Sequence, residues 1–211
     1  MARKCVLCDA VATRHEHVIP DWLPRKLKAR LLIGQTTNVG LRPIPKVPFG
    51  QYKAKITCED CQRFAAQKIE HPAIPLLKRM MEGEPMALSE TQQRLLATWA
   101  VKTTYMTWGR TMKDRGIPKR HLRFLREHAE PHPSEVFVTF GRSDGRIARW
   151  AFSRPKVGRQ GEPHFFAYNF VAAFGQVALK VFGLTKPRPD IRWPGPIRTW
   201  EYFRAAESRW S

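Results

Sequence analysis

The chain has 211 residues, 43% of them hydrophobic, enough to bury a core and to exclude wholesale disorder. Its 37 Lys and Arg against 18 Asp and Glu give a formal net charge of +19, an excess that points to a polyanion, with a basic protein-docking face as the alternative. No apolar run approaches the roughly 18 residues of a membrane span, and no apolar leader opens the chain, so a cytoplasmic protein is expected rather than a membrane protein.

In chain order, residues 1–20 read as a Cys knuckle followed by a short strand. Asp21 to Leu32 is amphipathic: Trp22, Leu23, Leu27, Leu31 and Leu32 share one helix face, with Arg25, Lys26, Lys28 and Arg30 largely opposite. Pro24 fits the first turn of such a helix. Residues 34–52 carry Gly34, Gly40, Pro43, Pro45, Pro48 and Gly50 and read as loop, with one short strand near Val39–Leu41. Lys53–Thr57 is a strand leading into a second Cys pair. A helix from Asp60 to Glu70 is expected to break at His71-Pro72, and a second runs to about Met81.

Ser89 with Gln92 three residues on is a capping box. It opens a helix on which Leu95, Leu96, Trp99, Ala100, Thr103 and Met106 recur at helical spacing, ending by Gly116 and Pro118. Lys119 to Glu130 is another helix, with Leu122 and Leu125 inward and Arg120, Arg123 and Arg126 outward. Glu135–Phe140 and Arg146–Phe152 read as strands around Ser143-Asp144-Gly145, a hairpin signal. Phe165 to Phe182, interrupted by Gly175, reads as two strands or one bent strand, with a buried helix as the alternative. The tail from Thr185, with Trp193, Trp200 and Trp210, reads as extended chain laid across the sheet.

Two short-spaced pairs, Cys5-Val-Leu-Cys8 and Cys58-Glu-Asp-Cys61, match a tetrahedral structural zinc site; disulfides or free thiols are the alternatives. Thiols stay reduced in the cytoplasm, which favours zinc. Between the pairs lies His15-Glu16-His17-Val18-Ile19-Pro20, with the residue types of metal-assisted hydrolysis.

This order of Cys pair, His-Glu-His segment, Cys pair and following helix resembles the zinc-stabilised His-Asn-His (HNH) endonucleases, whose core is the ββα-metal motif. Glu16-His-Val-Ile-Pro-Asp-Trp-Leu23 is similar, more narrowly, to bacterial and phage HNH-type proteins with a Glu-His-Val-Ile-Pro-x-Trp-Leu segment, as is Leu95-Leu-Ala-Thr-Trp-Ala-Val-Lys-Thr103. The nuclease resemblance covers about residues 5–70. It implies an HNH-like zinc module over 1–84; with the helices and antiparallel sheet read from the pattern over 85–211 the chain is expected to be α+β, and because the N-terminal module is small and loop-rich the two parts are expected to share a core. It further implies that His17 is the general base, that Glu16 holds a catalytic divalent ion (magnesium, manganese or nickel), and that zinc on the four Cys only braces the fold.

The chain departs from the family at the position after the last Cys, where Gln62 replaces Asn or His; a Gln amide is a weak further ligand. The middle Asn has no clear counterpart, Asn38 being the nearest. His71 is a substitute ligand or an ordinary helix-end residue. His15 is a second ligand, a phosphate contact or a surface His. Strand alternation puts His15 and His17 on one face and Glu16 on the other. Arg14, Arg25, Lys26, Lys28, Arg30 and Arg63 form the expected cradle for a nucleic-acid backbone, DNA favoured over RNA. The rival expectation is a degenerate HNH scaffold that only binds nucleic acid or a host or phage protein. Oligomeric state is left open.

Overall fold

The alternation Lys53-Ala-Lys-Ile-Thr57 gives a strand with one dry and one wet side, and it finds its partner in Arg14–His17. The computed structural model describes residues 2–27, 31–36, 42–48, 53–111, 116–143, 149–157 and 165–187. In it β1 (Arg14–His17) and β4 (Lys53–Thr57) form an antiparallel ribbon, with His15 opposite Lys55 and His17 opposite Lys53. Glu16, Ala54 and Ile56 turn inward.

Between these strands lie α1 (Trp22–Leu27), β2 (Leu31–Thr36) and β3 (Arg42–Pro48). The expected helix from Asp21 to Leu32 is therefore shorter, and Leu31 and Leu32 belong to a strand. The loop expected over 34–52 also contains strand. β3 carries Pro43, Pro45 and Pro48 and ends the order of the larger sheet, the edge position at which missing N–H donors are tolerated. Residues 39–41, where a strand is expected, lie outside the described residues.

α2 (Glu59–Phe64) continues through a π-helical segment, Ala65–Glu70, into α3 (His71–Met81). The expected break at His71-Pro72 does not occur. The wider π turn lets the His71 N–H reach the Ala66 carbonyl five residues back, and Pro72, which has no N–H to place, follows it into α3.

α4 (Glu90–Thr111) starts at the expected capping box: the Ser89 N–H donates to Gln92 Oε1 at 2.9 Å and the Gln92 N–H to Ser89 Oγ at 3.3 Å. Every residue from 96 to 108 is buried, so this is a central helix enclosed on all sides. Three of its buried hydroxyls are absorbed locally: Thr98, Thr104 and Thr107 donate to the carbonyls of Arg94, Ala100 and Thr103 at 2.7–2.8 Å. α5 (Lys119–His128) follows, with Leu122 and Leu125 buried as expected.

The larger sheet adds β5 (Val136–Arg142), β6 (Arg149–Ser153), β7 (Lys156–Val157), β8 (Phe165–Phe174) and β9 (Val177–Leu184). Its order is β3-β2-β6-β8-β9-β5, with β7 also on β8. Phe165–Phe182 is thus two strands. Their turn needs Gly175, at φ +60°, where a Cβ would stand 3.1 Å from the Met81 carbonyl oxygen. The hairpin expected at Ser143-Asp144-Gly145 is not formed: β5 pairs with β9, and β6 pairs with β8 and β2. β2 with β6 is parallel, so the sheet is mixed rather than wholly antiparallel. The larger sheet takes β2 and β3 from one side of residue 84 and the rest from the other, and one buried cluster runs from Cys5 to Val181. The Trp-rich tail lies outside the described residues. The fold is α+β.

Candidate functional site

The first Cys pair sits in a tight knuckle. Lys4 bridges Val11, the Asp9 N–H donates to the Cys5 carbonyl, and Asp9 takes φ +63°, the left-handed conformation that Asp tolerates. Val6 N–H to Ile56 O at 2.8 Å and Thr13 N–H to Thr57 O at 2.9 Å tie the knuckle to β4. Val6 also packs on Gly109 of α4, where a Cβ would approach it to 2.9 Å. Cys58 caps α2 and Cys61 lies in its first turn, so one strand end and one helix start present the second pair.

The four Sγ atoms all lie within 4.8 Å of one another, and Cys8 and Cys58 are 3.6 Å apart. That is too long for a disulfide, and close to the ~3.8 Å edge of a tetrahedron of thiolates around zinc. The Cys5 thiol is pushed down to about 4, first by its hydrogen bond with Cys61 and then by backbone N–H groups, while the same bond holds the Cys61 proton on. The tetrad can hold a metal ion such as zinc.

The ribbon's two faces differ. Glu16 points inward and is 8% exposed, and its second oxygen, Oε2, is buried without a hydrogen-bond partner. Around it stand Lys102 of α4, with Nζ 3.9 Å from Glu16 Oε1, then Gln62, which donates to its carboxylate, and Glu70. Lys102 is fully buried and bonds Glu70 directly. Burial drives the Glu16 carboxyl above its ordinary range and Glu70 adds to this, against the pull of Lys102 and the Gln62 bond.

On the outer face His15, Lys53 and Lys55 are exposed and His17 is partly so. His17 Nδ1 faces Asp21 Oδ1 at 3.9 Å, and its Nε2 is buried without a partner. Burial first, then Lys53, lowers the His17 pKa, against Asp21 and Glu70. At neutral pH the ring is the free base.

Of the expected site residues, Glu16 and Gln62 come together, while Glu16 and His17 diverge across the strand. His71 is exposed; Asn38, Lys28 and Arg30 lie outside the described residues. Arg14 pairs with Glu59 at 2.8 Å, Arg25 with Asp21 at 3.0 Å, Arg63 with Glu59 at 3.6 Å, and Lys26 with Glu82. Such solvent-facing pairs are weak and exchangeable, so these cations can still meet an external anion.

Four residues of the site were not anticipated. Lys53 and Lys55 follow from alternation once Lys53–Thr57 is a strand. Lys102 is signalled by a lone charge within the apolar run Leu95–Thr103. Glu70 carries no local signal, because only the π turn sets its direction.

Nothing among the described residues supports a second, catalytic ion beside Glu16. Among the described residues the four Cys are the one group of three or more Cys, His, Asp or Glu ligands close enough to share an ion. The cation beside Glu16 and Glu70 is Lys102 itself. Also among the described residues, no helix is long and apolar enough to cross a membrane. No family model, no curated protein and no solved structure matches the chain.

Proposed function

We propose that this is a zinc-braced, HNH-type nucleic-acid-binding protein that hydrolyses phosphodiester bonds on the outer face of the β1–β4 ribbon. The observation that carries the reading is the pairing of His15 with Lys55 and of His17 with Lys53 beside the Cys tetrad. The order β1, β4, α2, with a Cys pair at either end, supports the HNH resemblance. Zinc on Cys5, Cys8, Cys58 and Cys61 would fix the ribbon and, with four thiolates around it, leave no open coordination position.

In this reading a phosphate lies across Lys53 and Lys55, whose ammonium groups offset its charge and the charge that builds on attack. His17, neutral at physiological pH, accepts the proton of the attacking water as the P–O bond to the leaving oxygen breaks, and that oxygen takes a proton from solvent. Asp21 faces Nδ1, where it steadies the imidazolium that forms. The net charge of +19 supplies the general attraction to DNA, favoured here, or RNA.

The test is cleavage of supercoiled plasmid and of a folded RNA by the wild type and by His17→Ala. Cleavage that the variant loses supports the reading, with an expected drop of about 10²–10⁴. A second reading, a scaffold that binds without cutting, is favoured by the inward turn of Glu16 onto Lys102. Salt-sensitive binding that His17→Ala leaves unchanged, with no cleavage by either protein, would establish it.

A further inference from the structure

Four elements converge behind the ribbon. β1 supplies Glu16, the π turn supplies Glu70, α2 supplies Gln62, and α4 brings Lys102 to meet them. Two carboxylates and an amide are oxygen donors of the kind that hold a hard divalent cation. The charge they surround is the ammonium of a fully buried lysine, bonded to Glu70 and 3.9 Å from Glu16 Oε1. Gln62 donates its amide hydrogens to Glu16, so its carbonyl oxygen is not spent on that carboxylate.

We infer that Lys102 is a built-in cation seated against Glu16, the carboxylate that the HNH resemblance assigns to a divalent ion, so that the ribbon carries out its task without a dissociable metal behind it. The inference rests on the HNH-type reading of the frame. A tethered ammonium differs from an ion in two respects: it cannot leave, and it cannot coordinate a water or a phosphate oxygen. With no exposed surface, Lys102 does not touch the substrate. It is a positioning residue that holds Glu16 inward and so leaves the outer face to His17, Lys53 and Lys55.

The inference predicts that deleting the ammonium uncovers a metal site. The experiment is Mn²⁺ titration of zinc-loaded protein, followed by electron paramagnetic resonance. Manganese prefers oxygen donors and leaves the soft Cys tetrad to zinc. Wild type should show no stoichiometric Mn²⁺ binding. Lys102→Ala should bind one Mn²⁺ at least tenfold more tightly than wild type, and Glu16→Gln placed on top of Lys102→Ala should remove most of that gain.

Should Lys102→Ala fail to fold alone, its refolding in millimolar Mn²⁺ becomes the measurement. Recovery of the native circular dichroism supports the inference; no recovery overturns it. Stoichiometric Mn²⁺ on the wild type that Glu16→Gln abolishes would overturn it, because ion and ammonium would then coexist. A folded Lys102→Ala with no gain would overturn it equally. None of these readouts depends on cleavage, so failure of the hydrolase reading and failure of this inference are separable.

Discussion

α4 contributes a residue to each of two buried polar clusters, and the two are built differently. Behind the ribbon, Lys102 meets Glu16 and Glu70, and polar atoms are left over: Glu16 Oε2, with His17 Nε2 and Asp21 Oδ1 nearby in the chain. One helical turn on, Tyr105 enters a chain with no loose end. The Tyr105 hydroxyl is 3.2 Å from that of Tyr168, which is 2.9 Å from His121 Nδ1, and His121 Nε2 bonds Glu135. Arg120 completes Glu135 at 2.6 Å. Because a carboxylate only accepts, the tautomer follows: Nε2–H donates to Glu135 and Nδ1 accepts from Tyr168, which accepts from Tyr105. Full satisfaction marks a structural network; the unpartnered atoms behind the ribbon are not unique to it, since Thr103 Oγ1 and the Trp99 and Trp108 Nε1 atoms of α4 are also buried without a partner.

Metal removal is the most severe way to test this contrast. Structural zinc in small modules is worth an apparent 10–16 kcal/mol or so near neutral pH, and that binding energy is folding energy. Cys5 and Cys61 belong to the same buried cluster as Trp108 and Tyr105. Chelation of the zinc-loaded protein should therefore collapse both polar clusters together. Far-ultraviolet circular dichroism and tryptophan fluorescence should lose their native signals in one transition. Two separated transitions would show that the clusters belong to independent folding units.

Lys102→Met comes next. It leaves Glu16 and Glu70 buried with no cation between them, a change expected to cost about 3–5 kcal/mol at pH 7. Because burial already raises the Glu16 pKa, a proton can replace the missing charge, and the loss should shrink as the pH falls toward 5. Tyr105→Phe breaks the other cluster only at its end and should cost about 1 kcal/mol, without that pH signature. Equal losses in urea melts of the two variants would erase the distinction between charged and neutral clusters.

How far the sequence exposes this contrast depends on whether the deciding force is local. The Cys tetrad, the capping box of α4 and the strands at Lys53–Thr57 and Phe165–Phe182 rest on spacing, alternation or side-chain caps, and are legible. The edge strand β3 is not, because its prolines signal a loop until its place at the sheet margin is known. Nor is the path through His71-Pro72, where a π turn carries the helix past the proline. Ser143-Asp144-Gly145 sits between two strands whose partners are set by the sheet rather than by the turn. Glu16 and His17 were separable by alternation, but the partner of Glu16 came from a helix some eighty residues away.

Acid sharpens the contrast from the other side. Burial pushes His121 down to about 4, against the pull of Glu135, so the folded chain refuses a proton that the unfolded chain accepts near 6.5. Stability should fall as pH drops below about 6.5 and level off, for this group, below about 4, by up to about 3 kcal/mol. Glu135, which burial pushes up but His121 and Arg120 together hold below its ordinary range, works in the same direction at the lower end. A buried Tyr168→Phe removes the donor to Nδ1 and should shift this acid limb. Melting curves between pH 7 and 4 that coincide for wild type and Tyr168→Phe would argue against the relay of hydrogen bonds.

The smallest expected change in stability belongs to the residue with the largest proposed role in function. His17 keeps one nitrogen 3.9 Å from a carboxylate and the other unbonded, so little holds the fold to it. His17→Ala should change stability by no more than about 0.5 kcal/mol at pH 7.5. The sign then reverses with acid. The fold lowers the His17 pKa, so below about 6.5 wild type loses stability that the alanine variant keeps. Urea melts at pH 7.5 and 5.5 read both effects. A loss above about 2 kcal/mol at pH 7.5 would make His17 a member of the structural network like His121, and its unbonded nitrogen would no longer distinguish the ribbon from the closed chain behind it.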